Sequence, residues 1–582
     1  MAGMTSIYLG VSGLQSSQNA LNTTAHNLSN VNTKGYVRQQ AIFSDKIYHK
    51  VGASATSAMQ VGQGVTSQAT SRVRDILLDV AYRKENSRAG FYDSQYEVVT
   101  EIETIIGETE GEQYQKNLEN IWNSINEMAK TPDSIVARSE LVMYAEEFLN
   151  RSQSIYNGLI DYQNNLNEEV RNQVDKINAL GDKIDMLNEQ IASVEAAGIE
   201  RANDFRDQRD LALDELSKLA TISYEENAFD RVTVKLEGVP FVTEDSVFHM
   251  ATSELDSDKG STYLSCVWPH LSNSTQTREV FFLEEKISTA DNNDFGSLKG
   301  LLLARGDYVA TYQDIPKVDD FDTTTEEGRD EYLNAVAKYD REVAPSSIMS
   351  MQAMLDTLVN GVVISINDAL SPTIKASFTG IDGTTYDDVD VLDIENSSVG
   401  DDGKLPPREL FKRLHTERYT EVKGDDGVTY YVYNKNNIFD KESLYTLGNL
   451  EMNKEVADDY SLLPFKTKED EADMKLGERL LEAWDKPFAE LNPDNLTKKT
   501  FKQYYHEAIY NIGNRGMLYR TISENQVTAT REIDNKRQEI AGVSSDEELT
   551  NMIKFQSAYN ASSRYINVIS EMLEHIIERL GQ

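Results

Sequence analysis

Met4, Ile7, Val11, Leu14, Gln18, Leu21, Ala25 and Leu28 recur at alternating steps of three and four, the seam of an amphipathic or coiled-coil helix. Gln18 and Ala25 weaken that seam. The helix is expected to stop between Ser29 and Tyr36, where Asn30, Asn32 and Gly35 tolerate left-handed backbone or bond their own main chain. The last segment mirrors the first: Met552, Phe555, Tyr559, Ser562, Ile566, Ile569, Leu573, Ile576 and Leu580 keep the same spacing, and only Ser562 is polar. Ser544 or Ser545 precedes it as an N-cap, with Glu547 or Glu548 three residues on at capping-box spacing. Helices are predicted to close both ends of the chain.

Between them the period changes more than once. Residues 36 to 70 turn to Gly, Ser, Thr, Val and Ala with partial alternation, which predicts extended or hairpin structure. Residues 75 to about 220 read as helix almost throughout. The clearest stretch is Ile177, Leu180, Ile184, Leu187, Ile191 and Val194; a helix from Leu159 to Val194 would be roughly 55 Å long. Such a rod needs a partner, and 503–540 offers candidates. Period two begins near residue 228, with Gly238 and Pro240, and predicts a β-rich section. Helical pattern returns over 346–370. Residues 373 to 484 carry mixed signals, Asp-Gly turns and many acidic residues, and read as an insertion facing solvent.

Charge sharpens this division. The 582 residues carry 97 acidic and 57 basic side chains, a formal net charge of −40. Like charge argues against a general binder of nucleic acid or anionic membrane. The ends differ from the body: residues 1–50 carry +3, residues 550–582 carry 0, and the middle carries −43. From Leu9 to Asn30 there is no Asp, Glu, Lys or Arg. A helix enclosed on several sides is penalised for any unpaired charge. The segment is therefore expected to have no free surface in its working state, its Leu and Val seam meeting the C-terminal helix and its amide and hydroxyl face meeting other subunits or a lumen. The chain length predicts three or more domains. No Sec-type signal peptide and no uninterrupted apolar run of about 18 residues is found.

Chemistry is hard to find. No phosphate-cradling GxxxxGK[ST] pattern occurs, and Ser12 lies inside the helical seam rather than on a nucleophile elbow. His506 and Glu507 lack a second His, since Tyr510 stands in its place. The loop from Asp291 places Phe295 and Leu302 where a calcium loop needs ligands. Cys266, the single cysteine, excludes an intramolecular disulfide and reads as a small buried hydrophobe rather than a nucleophile with His270. The acidic run from Asp319 reads as a solvated loop. No catalytic, cofactor-binding or metal-binding residue is assigned, and no cofactor is expected.

Residues Gly13 to Gln39 resemble the N-terminal signature of the flagellar rod, hook and hook-associated axial proteins, with Asn27, Leu28, Ser29, Asn30, Thr33, Gly35, Tyr36 and Arg38 in the positions of that pattern. Residues 61–83, 202–223 and above all 531–574 are similar to the hook-associated members at the hook–filament junction; in the last, Gly542, Val543, Ser544, Asp546, Glu547, Glu548, Phe555, Gln556, Ala558, Tyr559, Ala561 and Ile566 fit, and Ala541 departs from the usual Ser. The resemblance covers about 1–310, 345–372 and 500–582.

It implies a multidomain α+β fold with terminal helices paired as a coiled coil, a long-helix bundle domain, and β-rich outer domains with an inserted mixed domain. The divisions expected are 1–58 with 545–582 innermost; 59–227, 301–372 and 485–544 mainly helical; 228–300 β-rich; and 373–484 an acidic insertion. It implies a non-enzymatic junction protein exported by the flagellar type III apparatus and located outside the cell at the hook–filament junction. Its implied partners are other copies in a ring, hook protein, a second hook-associated junction protein, and an export chaperone at the C-terminal helix. The expected assembly residues are Ile7, Val11, Leu14, Gln15, Gln18, Asn19, Leu21, Asn27, Leu28, Asn30, Gly35, Tyr36, Phe555, Tyr559, Ile566, Ile569, Leu573, Ile576 and Leu580. The alternatives are another axial protein, of hook or rod, or an axial scaffold whose 373–484 insertion carries an adhesin or an enzyme.

Overall fold

In a computed structural model, all residues are described except 1, 47, 54–57, 108–113, 199, 256–260, 274–275, 438 and 581–582. The N-terminal helix α1 (Ala2–Ser29) is followed by a turn in which Gly35 takes a left-handed φ of 81°, which costs a glycine little. The chain then forms a long ribbon: β1 (Gln39–Asp45) pairs antiparallel with β4 (Val65–Arg72), and between them β2 (Tyr48–Ala53) pairs with β3 (Ala58–Gly62). The last two helices are α11 (Phe501–Ala541) and α12 (Ser545–Leu580), and α12 returns to pack along α1.

Helix α2 (Ile76–Ile106) is capped by Asp75, whose carboxylate accepts from the amides of Leu77 and Leu78, and it ends on left-handed Gly107. After α3 (Tyr114–Lys130) comes α4 (Ile135–Glu195), 61 residues without a break, or roughly 90 Å. It starts well before the heptad stretch that foretold it, because Leu141, Ala145, Phe148, Ser152, Ile155 and Leu159 continue its buried face with mixed residue types. Its expected partner was wrong: α11 packs along α2, while α4 is covered by α3, α5 (Asn203–Leu219), α6 (Ser297–Arg305) and α8 (Ser347–Leu370). Helix α8 is long and apolar enough to cross a membrane by composition, although its apolar run is interrupted; 89% of its most apolar window is buried inside the protein. It is a core helix.

Short sheets lean on these helices. Strands β5 (Ile222–Glu226), β6 (Val232–Leu236) and β7 (Val239–Val242) form one sheet, and β8 (Ala251–Glu254) pairs with β9 (Leu264–Val267). Strand structure thus begins at Ile222, slightly before the expected boundary. The acidic run read as loop contains the start of α7 (Glu326–Glu342): Thr325 Oγ1 accepts from the Gly328 amide at 3.1 Å, and Glu326 and Glu327 occupy the first turn, where acidic side chains suit the helix dipole.

The segment from 373 onward has two parts. One is a four-stranded sheet in the order β10 (Thr373–Thr379), β11 (Thr385–Leu392), β14 (Thr429–Tyr433), β13 (Tyr419–Lys423). Its hairpin tips repeat a G-x-D-G-x-T-Y pattern from Gly380 and Gly424. The tips bond to each other, Ile381 N to Lys423 O and Asp425 N to Thr379 O, both at 2.9 Å. The Phe378 ring is stacked on both Tyr386 and Tyr430, centroids 4.8 and 3.9 Å away.

The other part does not face solvent as expected. The pair β12 (Phe411–Arg413) and β15 (Leu450–Met452), short α9 (Lys454–Asp458), α10 (Met474–Asp485) and the turns between them deliver Phe411, Tyr445, Leu447, Leu450, Val456, Phe465, Leu476 and Leu480 into the same apolar core as α4 and α8. These apolar residues are too irregularly spaced to show a period.

Two buried carboxyls tie this part to α8. Asp356 accepts from the amides of Leu447 (2.7 Å) and Tyr312 (2.8 Å), and Glu409 accepts from Asn367 Nδ2 of α8 at 3.4 Å and from the Tyr445 hydroxyl at 3.2 Å. Burial pushes each up to about 7. A carboxyl raised in the folded state favours folding below its unfolded value near 4, and that contribution is lost as pH rises to 7, at about 1.4 kcal/mol per unit of displacement. Melting temperature is expected to rise as pH falls from 8 to 5. Lower net charge works in the same direction, so the decisive comparison is Glu409→Gln, which should visibly flatten that rise in calorimetry.

Candidate assembly surface

The pair of terminal helices contributes no residue to the contiguous core. They approach closely because α1 carries glycine on the contact: a methyl group on Gly10 would lie 2.7 Å from Ile566 Cγ1, and one on Gly13 would lie 2.9 Å from Ser562 Oγ. Neither glycine belongs to the step-three-and-four seam, so hydrophobic periodicity could not find them; their spacing of three on a helix was the available signal.

The base of the pair is a set of polar bonds. Asn27 is 1% exposed; its amide donates to Gln39 O at 2.8 Å, and its carbonyl accepts from Gln39 N at 3.0 Å and from the Tyr36 hydroxyl at 2.8 Å. Asn30 donates to His26 O and accepts from Thr33. With Gly35 these residues reverse the chain and lay β1 beside α1. Burial, reinforced by Asp204, Asp207 and Glu548, holds the Tyr36 phenol well above its usual value. Arg38 then reaches the other end of the chain, pairing with Glu548 and Glu547, each at 3.0 Å, while its amide donates to Ala541 O. Ser544 caps α12 weakly, its Oγ accepting from Glu547 N at 3.5 Å.

The expected assembly residues fall into several groups. Ile7, Leu14, Leu21, Leu28, Phe555, Tyr559, Ile566, Ile569 and Leu573 are half-buried between the two helices and the ribbon, as are Asn30 and Tyr36; Phe43 on β1 meets Phe555 at 6.3 Å. Val11, Gln15, Gln18, Asn19, Gly35 and Ile576 are exposed. The Leu580 side chain lies outside the described residues. Asn27 stands apart from the rest: in the single chain it is buried, bonded to Gln39 and Tyr36. The hydroxyl face needs a correction. Ser12, Ser16, Ser17 and Thr24 are buried, with Ala20, because α1 packs on both α12 and the β1–β4 ladder and only small side chains fit there; Ser12 Oγ even accepts from Val65 N at 3.3 Å. What remains outward on α1 is the amide set and an apolar margin of Tyr8, Leu9 and Val11.

Helix α12 is more open still. Among its described side chains only Glu548 is buried, while Leu549, Ile553, Val568, Met572, Ile576 and Ile577 are 47 to 70% exposed. Elsewhere little points to chemistry. Cys266 is buried on β9 with its thiol pushed up to about 12, and among the described residues no group of three His, Cys, Asp or Glu side chains is placed to hold a metal ion.

Residues 99–371 match the family model of the flagellar hook-associated protein FlgK helical domain, residues 535–579 that of the flagellar basal body rod FlgEFG protein C-terminal, and residues 7–36 that of the flagella basal body rod protein. Flagellar hook-associated protein 1 of Bacillus subtilis is 25% identical over 589 residues, covering 99% of both chains. Its namesake in Escherichia coli is 22% identical, covering 97% of this chain and 98% of that one. The solved flagellar hook junction protein FlgK from Burkholderia pseudomallei aligns with a TM-score of 0.48 and 13% identity, over 78% of this chain and 99% of that one.

Proposed function

The chain belongs to the FlgK-type flagellar hook-associated proteins, structural proteins that join hook and filament, and from that premise we propose that it polymerises through its paired terminal helices. The observation that carries this reading is α12: an amphipathic helix of 36 residues that exposes Leu549, Ile553, Val568, Met572, Ile576 and Ile577, with only Glu548 buried among its described side chains. An isolated helix pair with so much apolar surface in water is marginal, and neighbouring copies that cover it gain about 25 cal/mol for each Å² removed from water. Folding of the pair and assembly then become one event.

In this reading 1–58 and 545–582 form the inner layer of a ring; 59–227, 301–372 and 485–544 form the helical layer, joined by the part of 373–484 that shares their core; 228–300 and the sheet β10–β11–β14–β13 lie outermost. The ring sits outside the cell between hook protein and a second hook-associated junction protein, after export by the flagellar type III apparatus with a chaperone on the C-terminal helix. It has no enzymatic role.

The exposed amides of α1 provide the test. Gln15→Glu and Asn19→Asp each place a charge where the working state leaves no water, at a cost of several kcal/mol. Filament attachment, counted by electron microscopy, is expected to fall sharply, while monomer melting temperature stays within about 2 °C because both positions are exposed in the single chain. Loss of monomer stability, or normal attachment, would overturn the reading.

A further inference from the structure

The terminal pair must be held to the helical body by something, and the contiguous apolar core does not reach it. The contiguous core includes no residue before Val98 or after Ile512. The first three turns of α2 bury Asp79, Arg83 and Ser87 and expose Ile76, Leu77 and Val80.

What holds the joint is a charged face. Helix α5 carries Asp204, Asp207, Asp210 and Asp214 at intervals of three, three and four, which aligns them on one side. Each engages chain that passes between the two parts. Asp204 accepts from Gln39 Nε2 at 2.9 Å and meets His26 Nε2 at 3.3 Å. Asp207 accepts from Val37 N at 3.0 Å and pairs with Arg72 at 2.9 Å. Asp210 pairs with Arg72 at 2.7 Å, with Arg83 at 3.3 Å, and with Arg74. Asp214 pairs with Arg83 at 2.6 Å and with Arg537 at 2.8 Å. Arg537 continues to Asp79 at 2.9 Å, and Asp79 to Arg74. All three crossings, 30–39, 72–79 and 537–545, are thus anchored at one cluster. Four aspartates (79, 207, 210, 214) balance four arginines (72, 74, 83, 537), and none of these side chains is more than 17% exposed.

We propose that the aspartate face of α5 is a polar latch that sets the direction in which the terminal helices leave the body, and that it can open without unfolding either part. Ion pairs with charge-assisted hydrogen bonds are directional, where apolar area is not, so they fix an angle. Because the cluster lies outside the apolar core, releasing it exposes little hydrophobic surface. The proposal does not depend on how the terminal helices assemble.

The test uses the full-length chain with nitroxides on Gln40→Cys and Thr104→Cys, exposed positions on the ribbon and on the far end of α2. Buried Cys266 stays unlabelled. Pulsed dipolar spectroscopy is expected to give one narrow distance in the parent chain. The balanced pair Arg72→Gln with Asp207→Asn, and separately Asp210→Asn, should each at least double the width of the distribution while the body keeps its cooperative thermal transition. An unchanged width in both variants overturns the proposal. So does collapse of the body's transition in both, since the cluster would then be part of the body's own core.

Discussion

Removing residues 555–582 is expected to abolish filament attachment completely and to leave the helical body folded. The deletion takes Phe555, Tyr559, Ile566, Ile569 and Leu573 away from α1 and with them the surface that Gly10 and Gly13 approach. A 28-residue helix left on its own ribbon loses most of its packing and is marginal in water. The body contributes every residue of the contiguous core and the terminal helices none, so its melting transition should remain cooperative and near the parent temperature. The remaining start of α12 keeps Glu547 and Glu548 for Arg38, so the base of the pair is not directly cut. Electron microscopy should show hooks without filaments, and soft-agar motility should be nil. Normal filaments on such cells would refute the assembly role of α12.

The second large effect lies in the body. Arg206 is 7% exposed and grips Glu195 with two bonds of 2.8 Å while also bonding Glu226 at 2.7 Å and Asp230 at 2.6 Å. Glu195 is the last residue of α4, and its carboxylate further accepts from Ala202 N at 2.8 Å, just before α5. The site therefore clasps the end of the long helix to the start of the next one. Though burial opposes ionisation, Arg206, the Ala202 amide and Arg201 hold the Glu195 carboxyl down at about 2.

Arg206→Ala leaves that carboxylate buried with only Arg201 and the Ala202 amide to stabilise it, which should cost about 3 to 4 kcal/mol in denaturant unfolding. Arg206→Lys, which keeps the charge and loses the fork, should fall between. A carboxyl depressed in the folded state stabilises above its unfolded value and ceases to as pH falls toward the folded one. The gap between parent and Arg206→Ala should therefore narrow between pH 4 and 2.

The elements that could be read from sequence are those whose burial is periodic. Ile177 to Val194 announced α4, since a regular helix against a flat core repeats its buried positions; the helical pattern over 346–370 announced α8, which is buried on nearly every side. Residues 444–484 escaped because Tyr445, Leu447, Phe465 and Trp484 reach the core from turns and short helices, where no period applies. The inside of α1 escaped for a different reason: at a close helix contact the buried residues are the small ones, so Ser16, Ala20 and Thr24 carried no hydrophobic signal. The terminal signature was legible as a pattern but not as a structure. That Arg38 meets Glu548 across 510 residues of chain, and that Asn27 turns inward, are tertiary facts that composition and spacing do not contain.

One consequence of α4 concerns mechanics. A subunit set in series between two parts of an axle carries whatever twisting moment passes along it. An unbroken helix of 61 residues has no loop at which to yield, and the segments that sheathe it come from widely separated parts of the chain, so shearing one loads the others in parallel. Rigidity is thereby concentrated in the body. Under rising torque the first compliance is expected at the charged joint above α5, which makes the body a stiff lever and its polar root the pivot.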